Sequence, residues 1–111
     1  MDLELKQGEA KTITFRLRDK DTGEALDLTG CTFELGVRSR NATTALIVKD
    51  DSDFDKSQAA SGIVSVFLTS TDTNQAPGDY IGELKTVFTG TPSPIDKSDD
   101  FVIKILRATV D

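Results

Sequence analysis

The carboxylates of this chain come in tracts, and no histidine stands anywhere to work beside them. Asp50, Asp51, Asp53 and Asp55 fall within one short polar stretch. Loop carboxylates so spaced have the donor chemistry for a hard cation, although a solvated loop accounts for them equally well. Asp19-Lys20-Asp21-Thr22-Gly23 has the opening of a calcium loop, but its glycine comes one position early. The twelfth position is Gly30 where such a loop needs a bidentate Glu. A carboxylate pair for sugar hydrolysis drawn from these tracts requires a cleft between its members, and nothing in the spacing supplies one.

Without histidine the chain lacks the usual general base near neutral pH, and Ser-His-Asp or Cys-His catalysis is excluded. One cysteine and no histidine leave no zinc site. Gly23, Gly30 and Gly36 are too dispersed to cradle a phosphate. Cys31 follows Gly30 at the head of an apolar run, the setting of a buried small hydrophobe, and no neighbouring cation would lower its pKa. No metal, cofactor or enzymatic activity is expected. Asn41-Ala42-Thr43 has the form of a glycosylation acceptor, but no secretory signal accompanies it and it reads as a loop.

The 111 residues carry 19 acidic and 13 basic side chains, a net charge of −6. Such a surface repels phosphate backbones and anionic membranes, so neither nucleic acid nor a bilayer is an expected partner. The charge serves solubility, with attraction to a basic partner surface as the other reading. No stretch approaches the ~20 apolar residues of a membrane span. The start, Met1 to Lys6, lacks the basic and apolar regions of a signal peptide, and synthesis in the cytoplasm is expected. One domain over residues 1–111 is expected, with a core of Ile, Leu and Val filled out by six Phe.

The elements that must position these residues are strands. Apolar residues recur with period two at Ile13, Phe15 and Leu17, at Phe33, Leu35 and Val37, at Val64, Val66 and Leu68, and at Phe101, Ile103 and Ile105. Shorter candidates run from Ala45 to Lys49, an edge strand, and from Tyr80 to Phe88. Between them stand turn sequences: Lys20 to Gly23 with Gly23 suited to positive φ, Asp50 to Asp53, Ser57 to Gly62, Ala76 to Asp79, and Gly90 to Pro94. A single helical turn is expected around Thr69 to Gln75, capped from Ser70-Thr71-Asp72. About seven short strands so punctuated predict an all-β, immunoglobulin-like antiparallel sandwich with Greek-key topology.

Asp72, Gly78 and Tyr80 have the order of a tyrosine corner, in which a buried ring sends its hydroxyl back to upstream backbone. Antibody domains place a cysteine two residues after that tyrosine. Here the position is Gly82, and the chain has no tryptophan.

The succession Lys11 to Leu17, Asp19 to Gly23, Ala25 to Phe33, Ser61 to Thr69 and Pro77 to Tyr80 resembles the N-terminal immunoglobulin-like domain of tailed-phage baseplate upper proteins and related small prophage tail proteins. The likeness spans residues 10 to 106. Its most telling piece is Asp27-Leu28-Thr29-Gly30 leading into a strand. Asp27 and Thr29 suit backbone bonding in a turn and Gly30 a sharp bend, all structural roles. The resemblance implies a virion structural or adaptor protein of the tail or baseplate. Its partners would be other tail proteins, or further copies of itself. Members of that family continue into further domains where this sequence ends, so no binding residues are transferred.

The expected contact is strand addition at the segment Thr43 to Lys49, with Ala45, Ile47 and Lys49 as the interaction edge. On that expectation Ile47→Pro weakens assembly and spares the fold. The alternative is a carbohydrate- or protein-binding module unrelated to virions. For sugars, the lack of tryptophan and the burial expected for Tyr80 count against it.

Overall fold

The structure is a computed structural model that describes residues 2–89, 94–98 and 100–110. Nine strand segments follow one another: β1 Leu3–Lys6, β2 Lys11–Arg16, β3 Thr32–Ser39, β4 Ile47–Lys49, β5 Phe54–Asp55, β6 Ile63–Leu68, β7 Gly78–Val87, β8 Ile95–Lys97 and β9 Phe101–Leu106. They form two sheets. One has the order β1-β9-β7-β3-β4, with β8 also on β7, and the other the order β2-β6-β5. The chain passes back and forth between the sheets, giving the Greek-key arrangement of an immunoglobulin-like sandwich.

The period-two runs set the two faces. Ile13 and Phe15 of β2, Phe33, Leu35 and Val37 of β3, Val64, Val66 and Leu68 of β6, and Phe101, Ile103 and Ile105 of β9 are all buried. Their intervening partners point outward, as strand geometry requires when one face is covered. β7 is the longest strand and sits centrally between β3 and β9, pairing antiparallel with both.

Three segments were not anticipated. β1 runs parallel to β9, so the sandwich is not wholly antiparallel. β5 has two residues, and β8 is short with every residue exposed. β8 and β9 flank the same side of β7 and together act as one interrupted strand. Lys85 faces Lys97 while Gly82 faces Phe101, three steps on β7 against four on its neighbour. Between these two pairings the Ser98 hydroxyl accepts the Leu84 amide at 2.9 Å. Of the loop expected over Gly90 to Pro94, residues 90–93 lie outside the described residues; the Pro94 carbonyl accepts from Phe88 N–H at 2.8 Å.

The helical turn expected at Thr69 to Gln75 is a sequence of turns and no helix. Its cap is Thr69, one residue earlier than expected. The Thr69 amide donates to the Asp72 carboxylate at 2.8 Å, and the Asp72 amide donates back to the Thr69 hydroxyl at 3.1 Å. Gly23 takes φ +75°, closing the turn between Arg18 and Ala25.

The two sheets are joined by rings where an antibody domain has a disulfide. Gly82 lies under the Phe101 ring so closely that a Cβ there would stand 2.5 Å from it. Phe101 in turn meets Phe15 of the opposite sheet edge-on, with centroids 5.9 Å apart. Glycine two residues after Tyr80 is therefore a packing requirement.

Candidate functional site

The residues singled out by sequence occupy three places. At the first, the Tyr80 ring is buried and its hydroxyl donates to the Ala76 carbonyl at 2.6 Å, four residues upstream. This is the geometry of a tyrosine corner. Asp72 is not a member of it and works elsewhere. Gly78 opens β7 at φ +153°, and a side chain there would meet nothing within 4 Å, so the backbone conformation and not packing calls for the glycine.

The second place is the turn into β3. One Asp27 carboxylate oxygen accepts both the Thr29 amide at 3.0 Å and the Thr29 hydroxyl at 2.6 Å. The Thr29 hydroxyl holds the Asp27 carboxyl below the ordinary carboxylate range, with the amide adding to it. Leu28, between them, is fully buried. Gly30 stands at φ +80°, and a Cβ there would press on Thr89 at 2.9 Å. Cys31 is buried in the core.

The third place is β4 with the acidic tract that follows it. The tract is the corner where the chain crosses from one sheet to the other. Asp50 caps a 3-10 turn over Asp51–Asp53, accepting from the amide and hydroxyl of Ser52. Asp53 closes the box by accepting the Asp50 amide. Asp51 accepts the Phe33 amide at 3.0 Å and pairs with Lys56 at 2.8 Å, tying the two sheets at this corner. The Lys56 hydrogen bond is the main cause of its lowered pKa. Asp55 accepts the Ser57 amide, and hydrogen bonds from Ser57 lower its pKa. Each carboxylate serves the backbone near it. Among the described residues no three acidic or cysteine side chains gather where they could hold a metal ion. The Asp19 carboxylate likewise caps its own turn, accepting the Asp21 and Thr22 amides.

β4 is the outermost strand of its sheet, with β3 on one side. Of the three residues expected to form the contact edge, two point into the sandwich. Ile47 is 4% exposed and belongs to the core, while Ala45 is half-buried on the outer face beside Gly36. Lys49 turns under the sheet to pair with Asp72 at 2.7 Å. Ile47→Pro would therefore remove a core side chain, so that test cannot spare the fold. The outward residues are Leu46 and Val48, 54% and 59% exposed. Sequence reading missed them because Ala45-Leu46-Ile47-Val48 is apolar throughout and has no period from which to choose a face.

Asp72 thus links the edge strand of one sheet to the turn leaving β6 of the other. Burial raises its pKa, but hydrogen bonds from Lys49 and Thr69 outweigh this and hold the carboxyl below its ordinary value. Before β4, the Arg38 guanidinium donates to the Arg40 and Ala42 carbonyls at 3.2 and 3.1 Å, which orders the approach to the edge. On the outer face of this sheet, Gly36 floors a depression of about 320 Å³ rimmed by Arg38, Thr43, Ala45, Ile81, Glu83 and Asp100.

No family model and no curated protein matches the chain. Among solved structures, the chain is similar to extracellular domains 3-5 of Drosophila OTK, at 15% identity and a TM-score of 0.40. The match covers 96% of this chain, which spans 32% of the length of that one.

Proposed function

We propose that this chain is a non-enzymatic structural or adaptor module that acts through protein–protein contacts, as a component of a phage or prophage tail or baseplate. One observation supports the contact role above the others. Leu46, just before β4, and Val48 within it leave two large apolar side chains exposed at an open sheet edge, while the polar residues that first suggested chemistry are engaged in holding turns. The tail assignment rests on the ordered motifs between Lys11 and Tyr80. Mass spectrometry of gradient-purified particles induced from the source strain tests it. A signal stoichiometric with other tail proteins is the expected result, and particles lacking the chain would remove the virion role.

A carbohydrate-binding reading has one observation in its favour. Phe67 is 52% exposed on the outer face of the three-stranded sheet. It neighbours a polar depression of about 240 Å³ lined by Thr14, Arg16, Asp55, Ser57, Gln58, Ile63 and Ser65. Exposed aromatic faces beside hydrogen-bonding groups suit sugar rings. Glycan-array binding that disappears in Phe67→Ala would support this reading, and a blank array would remove it.

A further inference from the structure

Among the described residues the sandwich has five strands with an unpaired side, and they differ in how they refuse another strand. β1 exposes Glu4 and Lys6, and β2 exposes Lys11 and Arg16. β5 has two residues, too few to template a ladder. β8 has three residues and exposes Asp96 and Lys97 beside Ile95. Charge and shortness are the usual protections of an edge. β4 is also short, but with Leu46 it presents an apolar pair outward. Its one lysine, the residue that would ordinarily guard such an edge, is tied beneath the sheet by Asp72.

The chemistry changes along this edge. Directly after β4, Asp50 and Asp53 are exposed and fixed in place by their reciprocal capping bonds. Among the described residues neither has a cationic partner, Lys56 being paired with Asp51. The edge is therefore apolar at Leu46 and Val48 and negative where it ends.

We propose that the β4 edge accepts an extended segment of a different protein, paired antiparallel, apolar at alternate positions and carrying Lys or Arg at its N-terminal end. Antiparallel pairing sets the start of the incoming segment beside the end of β4, which brings its basic residues to Asp50 and Asp53. A second copy of this chain fits less well. Antiparallel pairing about Ile47 would set Leu46 against Val48 but Thr44 against Asp50, bringing no cation to the aspartates. Each copy also carries a charge of −6. The proposal rests on the reading of this chain as a contact module and is independent of its place in a virion.

The test is fluorescence anisotropy with labelled Val/Thr-alternating peptides that carry two lysines at the N-terminal end, two at the C-terminal end, or two glutamates instead. The N-terminal-lysine peptide should bind about fivefold tighter than the C-terminal one, with a gap that narrows as salt rises. Val48→Lys should abolish binding while leaving the thermal melt unchanged, and Asp53→Asn should erase the preference among peptides. Equal binding of all three peptides, or binding that survives Val48→Lys, would overturn the proposal. So would sedimentation as a dimer that Val48→Lys dissolves, because the occupant would then be a second copy. Absence from purified particles together with peptide binding would sink the virion role alone; presence in particles without peptide binding would sink the edge proposal alone.

Discussion

An inner seam and a border of the same sheet are built on opposite terms. Where β9 meets β7, the Phe101 ring covers Gly82 and touches Phe15 of the other sheet, so the seam is closed by bulk over a missing side chain. At β4 the border is left open, with apolar side chains outside and a charge drawn inside. The first arrangement spends apolar surface on stability; the second leaves it available. A sandwich without a disulfide gains cross-sheet packing from the first. The second makes sense only where the exposed surface has a use, because an unguarded edge invites aggregation.

The largest expected effect comes from filling the closed seam. Gly82→Val places atoms inside the Phe101 ring position and should lower stability by about 3 kcal/mol, near the upper range of overpacking costs. Urea denaturation measures it. Phe101→Leu should cost less in the Gly82→Val background than in the native one, because the two positions compete for one space. Additive costs would show that the ring does not define this seam.

The contrast within β4 itself sharpens the comparison. Ile47 and Val48 are adjacent, and the first is buried while the second is exposed. Ile47→Ala should cost about 2–3 kcal/mol, as buried aliphatic truncations do. Val48→Lys should stay within about 0.5 kcal/mol, the range of exposed substitutions. Comparable losses at both positions would mean that the open border is part of the core after all.

The fold was legible from sequence wherever apolar and polar residues alternate, as in β2, β3, β6 and β9. It was not legible in β1, β5 and β8, which have four, two and three residues. So few residues cannot display a period, and pairing to longer neighbours defines these strands instead. The turn at Asp27 to Gly30 and the corner at Tyr80 could be read because their residue types state a local hydrogen bond. The exposed side chains of this segment were misassigned by one residue because Leu46, Ile47 and Val48 are chemically alike. Burial, a property of the assembled sandwich, separates them. The Lys49–Asp72 pair joins residues on different sheets, and no spacing announces it.

That pair gives the smallest effect, and one that depends on pH. The folded pKa of Asp72 lies below its ordinary value, so its ionised form is favoured by folding. The stabilisation is complete above the unfolded carboxylate pKa, near 4, and is lost as pH falls from there through the folded value. At pH 7 Asp72→Asn should cost about 1 kcal/mol, a modest figure because both side chains retain some exposure to solvent. The difference between the native chain and Asp72→Asn should shrink as urea titrations move from pH 6 toward pH 3. A constant gap would mean that the ion pair does not stabilise the fold. Asp72→Asn also releases Lys49 from beneath the sheet at neutral pH. If the tether is what leaves β4 unguarded, this variant should bind the N-terminal-lysine peptide more weakly than the native chain while remaining folded. Unchanged binding would separate the open edge from the buried charge, and the outward pair Leu46 and Val48 would then have to account for the edge alone.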